Sequence, residues 1–116
     1  LAFSPDGTRL IVAEARNRRI QSVDPLTGEG VVLIQGDVTG ALQVPFGLLV
    51  REDGSMLVSD TGSHSLLELD VAGGIVDRRG GWGWDPGRLR DPWAVIGDGD
   101  RTLVLDSGNG RLLVLP

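Results

Sequence analysis

The sequence predicts an all-β fold made of a repeated unit. Three observations lead to this prediction: one pattern recurs along the chain, apolar residues form short runs separated by turn residues, and no stretch shows a helical period over ten residues. Glycine and proline, with 18 and 6 of the 116 residues, are frequent enough to place turns between successive runs. We therefore expect helix to be nearly absent.

The repeat is clearest in a strand that ends on a carboxylate. Three aligned segments share this feature: Leu10–Glu14, Met56–Asp60 and 102–106. Their carboxylates stand at positions 14, 60 and 106, which are 46 residues apart. A turn containing an Asp-Gly pair, which favours a tight reversal, precedes each segment: 4–7, 52–54 and 97–100. A second turn follows each one: 16–19, 62–65 and 108–111.

Further strands complete the unit on both sides of this segment. An apolar run follows the second turn in every copy: 20–23, 66–69 and 112–115. A fourth strand fits 31–34 and, less strongly, 74–77, whereas the third copy stops at Pro116 before one. A strand led by proline precedes the second and third copies, at 45–50 and 92–96.

Four-stranded units that repeat every forty-odd residues are typical of the blades of a β-propeller, in which antiparallel blades pack around an axis. We divide the chain into blades at 1–36, with a truncated innermost strand, at 37–79, and at 80–116, without an outermost strand. Burial on both faces would explain the apolar runs at 66–67 and 112–115. A partial ring of about 2.5 to 3 blades cannot close, so we expect further blades from a longer polypeptide, a second copy or another protein.

The loops of the second and third units resemble those of NHL repeats. Residues 106–112, Asp-Ser-Gly-Asn-Gly-Arg-Leu, closely resemble the loop motif of that family, and residues 60–66, Asp-Thr-Gly-Ser-His-Ser-Leu, are similar to a variant of it. Other segments resemble the innermost strand and outer hairpin of the repeat: 45–50, 92–96 and 24–30. The resemblance covers nearly the whole chain and implies part of a six-bladed propeller.

The sequence departs from the NHL pattern in two places. The first unit has Glu14-Ala15-Arg16 where the family has Asp-Ser-Gly, and Ala94 replaces a usual glycine. The segment 2–8 also resembles gluconolactonase-like and strictosidine-synthase-like propellers of the wider six-bladed group. The propeller architecture is therefore better defined than the subfamily.

Charge and composition exclude several functional classes. The 11 basic residues, all arginine, face 16 acidic ones, and the net charge of −5 argues against strong binding to nucleic acid or an anionic membrane. No apolar run is long enough for membrane insertion. Without cysteine the chain has no thiolate metal site or cysteine nucleophile, and its one histidine, His64, excludes a multi-histidine zinc site. The sequence does not define the localisation.

Glu14, Asp60 and Asp106 recur at equivalent positions and allow two interpretations. Three carboxylates on one face of a ring suggest a site for a hard metal ion. We favour a structural role, because an Asp that opens a tight loop accepts hydrogen bonds from loop amides, and packed sheets stand roughly 10 Å apart. His64 has no partner histidine and occupies a position where NHL loops commonly carry histidine, so we predict no catalytic role for it.

Phe46 and Trp93 are the first candidate site residues. Six-bladed metal-dependent hydrolases that resemble gluconolactonases place Asn or Asp ahead of the innermost strand, facing the channel, and this sequence has Phe46 and Trp93 there. Aromatic rings cannot coordinate a divalent cation, which weighs against the enzyme interpretation. Since a proline precedes each ring and fixes the path of the chain, we expect both rings near one mouth of the channel.

The connection 78–91 between the second and third blades is the second candidate site. It holds Trp82 and Trp84 together with Arg88 and Arg90, and exposed Trp and Arg side chains often anchor a binding partner. The alternative is that either tryptophan plugs the groove between the blades. Acidic residues dilute the positive charge of this connection, so RNA binding is not favoured.

The sequence as a whole predicts a non-catalytic interaction or scaffold module without a cofactor. The repeat carries structural motifs throughout and assembles no catalytic constellation. The expected partner is a protein or further blades of the propeller. The alternative is part of a metal-dependent six-bladed hydrolase or lyase, of the gluconolactonase, strictosidine synthase or amidating lyase type.

Overall fold

The structure is a computed structural model of the chain that describes residues 1–36, 40, 42–85, 87–98 and 100–115. Four parts of the predictions lie outside the described residues: the start of the second blade at residue 37, Pro86, Gly99 of the turn 97–100, and Pro116. The described residues form eleven strands in three antiparallel sheets.

Each sheet is a meander in which successive strands are neighbours. Sheet 1 contains β1 (Ala2–Phe3), β2 (Leu10–Glu14), β3 (Arg19–Val23) and β4 (Gly30–Gln35). Sheet 2 contains β5 (Pro45–Val50), β6 (Met56–Asp60), β7 (Ser65–Leu69) and β8 (Ile75–Gly80). Sheet 3 contains β9 (Pro92–Asp98), β10 (Arg101–Asp106) and β11 (Arg111–Leu115), with a 3₁₀ turn at Ser107–Asn109.

The all-β prediction is confirmed, and the described residues form three separate antiparallel sheets, as expected for a partial propeller. The 3₁₀ turn is the one helical segment of the described residues. No helix there has the length and apolar character needed to cross a membrane. The less certain fourth strand at 74–77 is present as β8, displaced towards the C-terminus by the turn that ends at Gly74.

The blades pack through two apolar layers, one on each side of sheet 2. Alternate residues of a strand point to opposite faces, so Met56 and Val58 of β6 face sheet 1 whereas Leu57 faces sheet 3. The layer between sheets 1 and 2 is centred on Ile20 and Leu67, both fully buried. Sheet 2 is therefore the covered middle blade of the three.

The expectation of burial on both faces is correct for β7 and wrong for β11. In β7 all residues except Glu68 are buried. In β11 the residues alternate, and Leu112 and Val114 are exposed. The reason is positional, because no further sheet among the described residues covers the outer face of β11.

Candidate functional site

Phe46 and Trp93 each occupy a β-bulge at the start of an innermost strand. Phe46 is left without a partner between Pro45 and Gly47 of β5, where the pairing with β6 shifts by one residue. Trp93 is left without a partner at the matching position of β9. A bulge redirects the side chain of its extra residue, so the two rings leave the regular alternation of their strands.

The two bulges face each other because the innermost strands approach closely. A Cβ atom on Gly47 would lie 2.8 Å from the carbonyl oxygen of Trp93 and 2.9 Å from the Cα of Ala94. The hydroxyl of Thr61 donates a hydrogen bond of 2.7 Å to the carbonyl oxygen of Pro92 and ties the same ends of the two sheets together. Only glycine at position 47 allows this separation.

The rings of Phe46 and Trp93 stack as a result. Their centroids are 5.1 Å apart and their planes meet at 13°. Phe46 remains 47% exposed and Trp93 52% exposed. The structure thus brings these two predicted site residues together, and it leaves about half of each on the surface.

The connection between β8 and β9 displays the other two tryptophans. The rings of Trp82 and Trp84 meet edge to face with centroids 5.6 Å apart, and both are exposed, by 55% and 66%. The guanidinium carbon of Arg90 lies 5.8 Å from the centre of the Trp82 ring, within the range of a cation–π contact. Neither tryptophan plugs the groove between the blades, because both rings are exposed and the buried apolar side chain in the described part of this connection is that of Leu89.

Arg88 is the remaining predicted site residue and is exposed. Its aliphatic chain lies against Gly83, where an added Cβ would come within 2.9 Å of the Arg88 Cβ. Among the described residues, neither Arg88 nor Arg90 has a carboxylate partner within ion-pair distance. Both guanidinium groups therefore keep donors for an external acceptor.

Arg111 and Asn109 hold this connection in place, and the sequence reasoning missed them. The Arg111 guanidinium donates to the carbonyl oxygens of Trp84, Asp85 and Arg88 at 2.9 to 3.0 Å. The Asn109 amide donates to the carbonyl oxygen of Gly83 at 2.8 Å. Carbonyls that an irregular segment leaves unpaired are satisfied in this way, and the tryptophans are displayed on an ordered loop.

A spacing in the sequence marks both residues as partners of Asp106, although it does not show their contacts with the connection. Asp106 accepts hydrogen bonds from Asn109 and Arg111, three and five residues further on, at 2.8 and 2.9 Å. The first blade repeats the arrangement, since Glu14 accepts from Asn17 and Arg19 at the same spacing. The signal was an acidic residue followed by Asn and Arg in two of the three units.

The carboxylates of Asp60 and Asp106 are fully buried and have structural partners. Asp60 accepts from the backbone amides of Gln43 and Val44 at 2.9 and 2.6 Å, and Asp106 accepts from the amide of Arg90 at 2.7 Å. The structural interpretation is supported with one correction. The amides belong to the segment that precedes the innermost strand, whereas we expected amides of the loop that the Asp itself opens.

Glu14, the equivalent residue in the first blade, is held by side chains instead. The Arg19 guanidinium, followed by the amides of Gln21 and Asn17, lowers the pKa of Glu14 from 4.5 to about 2. Its ion pair with Arg19 has an N–O distance of 2.7 Å. Across the described residues, no three His, Asp or Glu side chains are grouped so that they would hold a metal ion.

His64 links the second blade to the connection that carries the tryptophans. Its Nδ1 accepts the backbone amide of Asp91 at 3.0 Å, and its carbonyl oxygen accepts the amide of Gly81 at 2.9 Å. His64 thus fixes both ends of the connection, which is a structural role.

The sheets and their packing define a partial β-propeller. Solved structures with this fold include the calcium-binding protein regucalcin from Agrobacterium tumefaciens, with a TM-score of 0.74 and 21% identity over 97% of this chain and 43% of that chain. A nidogen/laminin complex matches with a TM-score of 0.72 and 17% identity over 97% and 40% of the two chains. Streptogramin B lyase matches with a TM-score of 0.61 and 19% identity over 98% and 39%.

These likenesses establish the fold alone, because the identities are low. The chain spans about two fifths of the length of each of these three structures. It covers 43% of the regucalcin chain, 40% of the nidogen/laminin chain and 39% of the streptogramin B lyase chain. No protein-family model matches the sequence, and no curated protein matches it significantly. The matched proteins include both binding proteins and enzymes.

Proposed function

We propose that this chain is an NHL-type propeller segment that acts as a non-catalytic protein-interaction or scaffold module. Its binding surface is the aromatic end, formed by the two ring pairs and the two arginines beside them: Phe46, Trp93, Trp82, Trp84, Arg88 and Arg90. The stack of Phe46 on Trp93 at equivalent bulges of neighbouring blades is the observation that carries the proposal. The same register shift occurs in both blades and turns a large apolar side chain towards the surface each time.

The ring pairs and the connection lie at one end of the blades. In sheet 2 the pairing places Pro45, Asp60, Ser65 and Gly80 in one row at the end of the sheet. The connection leaves this row after Gly80 and reaches Pro92, the residue before Trp93. Exposed aromatic groups gathered at one end of a fold are typical of interaction surfaces.

The connection between β8 and β9 is held in one conformation, and this also supports a role in binding. A loop that is fixed before the partner arrives loses less conformational entropy on association. Arg111, Asn109 and His64 provide this order through contacts with the backbone of the connection. Trp and Arg are also the residue types most often found to dominate binding energy.

A metal-dependent hydrolase or lyase is the second candidate. It is favoured by the fold shared with a calcium-binding regucalcin and with streptogramin B lyase. Elemental analysis of the full-length protein separates the two candidates. A stoichiometric divalent ion in the central channel would favour the enzyme, whereas metal-free protein that binds its partner with full affinity would favour the interaction module.

Site-specific photo-crosslinking in the cells that naturally produce the full-length protein tests the interaction directly. The full-length protein would carry p-benzoylphenylalanine at Trp93 or, as a control, at Leu26, an exposed apolar residue in the β3–β4 turn at the opposite end of its sheet. The proposal predicts one dominant protein adduct from position 93 and none from position 26. Equal adducts from both positions would contradict it.

A further inference from the structure

An apolar cavity lies between sheets 1 and 2, at the end of the blades opposite to the aromatic end. In sheet 2 this end is marked by the row Val50, Met56, Leu69 and Ile75. The volume of the cavity is about 150 Å³. Its wall includes five apolar side chains from the two sheets and their turns: Ile11, Leu33, Val50, Met56 and Val71.

Both walls of the cavity belong to four-stranded sheets, and contacts between these sheets close it. The turn between β7 and β8 reaches the outermost strand of sheet 1, since a Cβ on Gly73 would overlap the carbonyl group of Leu33. Val71 of the same turn covers the turn between β5 and β6, where a Cβ on Gly54 would come within 2.9 Å of it. The cavity is therefore a feature of the junction between two blades, and it is separate from the connection between β8 and β9.

Arg9, the residue before β2, places a guanidinium group on this cavity. Its Nε donates to the Ser22 hydroxyl at 2.9 Å, and its Nη2 donates to the Ser22 carbonyl oxygen at 2.7 Å. These two bonds fix the guanidinium, whereas its Nη1 donors have no acceptor among the described residues. Within the same part of the chain, no carboxylate lies within ion-pair distance of Arg9. The cavity thus contains a fixed cation with donors available for a carboxylate.

The second blade shows which group is missing beside Arg9. Arg51, the arginine of the equivalent turn, donates to the Glu68 carboxylate of β7 at 3.0 Å. Glu68 and Ser22 occupy matching positions on β7 and β3, so a serine stands in the first blade where the second has a carboxylate. The first blade therefore has the arginine without its acidic partner, and an external carboxylate would complete the pair.

The open mouth of the cavity carries the opposite charge. A wider crevice shares Arg9 and four further residues with the cavity and adds three carboxylates: Asp6, Glu52 and Asp53. Hydrogen bonds from Thr8, followed by one from Ser4, lower the pKa of Asp6 from 3.8 to about 2. Both carboxyl groups in Asp-Gly turns are ionised at neutral pH, since hydrogen bonds also lower the pKa of Asp53. A simple organic anion would be repelled here, whereas a ligand with an ammonium group beside its carboxylate matches both charges.

We propose that this cavity binds a free α-amino acid with an apolar side chain about the size of that of leucine. An apolar cavity of about 150 Å³ accommodates benzene, and the side chain of leucine is smaller. This side chain fills the space between Ile11 and Met56, the carboxylate pairs with Arg9, and the ammonium group lies towards the acidic mouth. The end of a peptide carries one of the two charges and would leave the other group of the site unpaired. The site is distinct from the aromatic end and goes beyond the function proposed above.

Equilibrium dialysis of the full-length protein against radiolabelled leucine tests the proposal. Saturable binding of one leucine per chain is expected. Glycine lacks the apolar side chain, so it should compete about tenfold or more weakly than leucine. N-acetylleucine lacks the ammonium group and leucinamide lacks the carboxylate, so each should also compete about tenfold or more weakly. These comparisons use the unaltered protein and do not depend on whether any variant folds.

Variants of the arginine and of its serine partner locate the site. Arg9→Gln removes the cation, and Ser22→Glu supplies the acidic partner found in the second blade, so each should weaken leucine binding about tenfold or more. The matched control is Arg16→Gln, because Arg16 is exposed in the β2–β3 turn at the other end of sheet 1. It should leave binding within about twofold. The proposal is overturned if the unaltered protein does not bind millimolar leucine, if glycine or either blocked leucine competes as well as leucine, or if both variants bind leucine as the unaltered protein does.

Discussion

Phe46 and Trp93 stack at 5.1 Å between ring centroids, and each is the extra residue of a bulge in its own blade. The contact joins two innermost strands that are separated by 47 residues along the chain but occupy equivalent positions in the repeat. One local irregularity, repeated in two blades, therefore produces a two-ring surface. An internal repeat can build a site in this way without any single unit containing it.

Arg111→Lys should loosen the connection that carries Trp82 and Trp84. Lysine keeps the positive charge beside Asp106 but cannot span the three carbonyl oxygens that the guanidinium binds. We expect faster trypsin cleavage after Arg88 and Arg90, and a loss of about 1 kcal/mol in partner binding from the lost order. Mass spectrometry of timed digests and a binding titration measure the two effects.

The control for this variant is Arg19→Lys, which alters the equivalent residue of the first blade. Arg19 pairs with Glu14, and its guanidinium donates hydrogen bonds to both oxygens of that carboxylate. Cleavage after Arg88 and Arg90 should be unchanged in this control. Equal cleavage rates in Arg111→Lys and the unaltered protein would show that Arg111 does not order the connection.

Gly108→Ala should destabilise the third blade by about 1 to 3 kcal/mol. A Cβ at this position would lie 2.6 Å from the carbonyl oxygen of Arg90, a backbone atom that accepts the Gly108 amide and cannot move freely. Gly87→Ala is the matched control, because a Cβ there meets no atom within 4 Å. Thermal melts of the two variants should differ clearly, and similar melts would disprove the close approach.

Acid should remove the stabilisation that Glu14 provides. Because its pKa is lowered from 4.5 to about 2 in the folded chain, the contribution is fully present above about pH 4.5 and is lost as the pH falls towards 2. The difference in melting temperature between the unaltered protein and Glu14→Gln should therefore be largest near pH 6 and shrink towards pH 2. A difference that stays constant over this range would refute the assignment.

The chain of residues 1–116 expressed alone should associate. The outer face of sheet 3 exposes Ile96, Leu112 and Val114, and within the described part of the chain β11 pairs with a neighbour on one side only. Sedimentation velocity should show oligomers, and the double substitution of Leu112 and Val114 by lysine should shift the distribution towards monomer. A cooperative monomer of the unaltered chain would contradict this expectation.

The strands were predictable because their signals are local and repeated. The Leu10–Glu14 and Met56–Asp60 segments have the predicted bounds in the structure, since periodic spacing, turn residues and apolar runs agree there. The sequence also predicted the innermost strands that begin at Pro45 and Pro92, and the structure contains both as β5 and β9. The exposure of Leu112 could not be read from the sequence, because it depends on whether another sheet covers the blade.

The residues of the candidate site could be predicted from the sequence, whereas the backbone geometry that brings them together could not. The repeat identified Phe46 and Trp93, but the bulges that turn their rings together depend on the register with the next strand. The role of Arg111 was missed because its acceptors are backbone carbonyls 23 to 27 residues away, and no residue type marks a free carbonyl. Such long-range contacts to the backbone leave no pattern in one sequence.

The affinity of Trp93→Ala for the partner captured by crosslinking tests the central claim most directly. Isothermal titration should show a loss of about 2 kcal/mol or more, as expected for an aromatic anchor. The melting temperature should fall by less than about 6 °C, because a half-exposed ring with one stacking contact contributes little to stability. A variant that unfolds while its remaining folded fraction binds normally would show that Trp93 belongs to the core and that the aromatic end is not the binding surface.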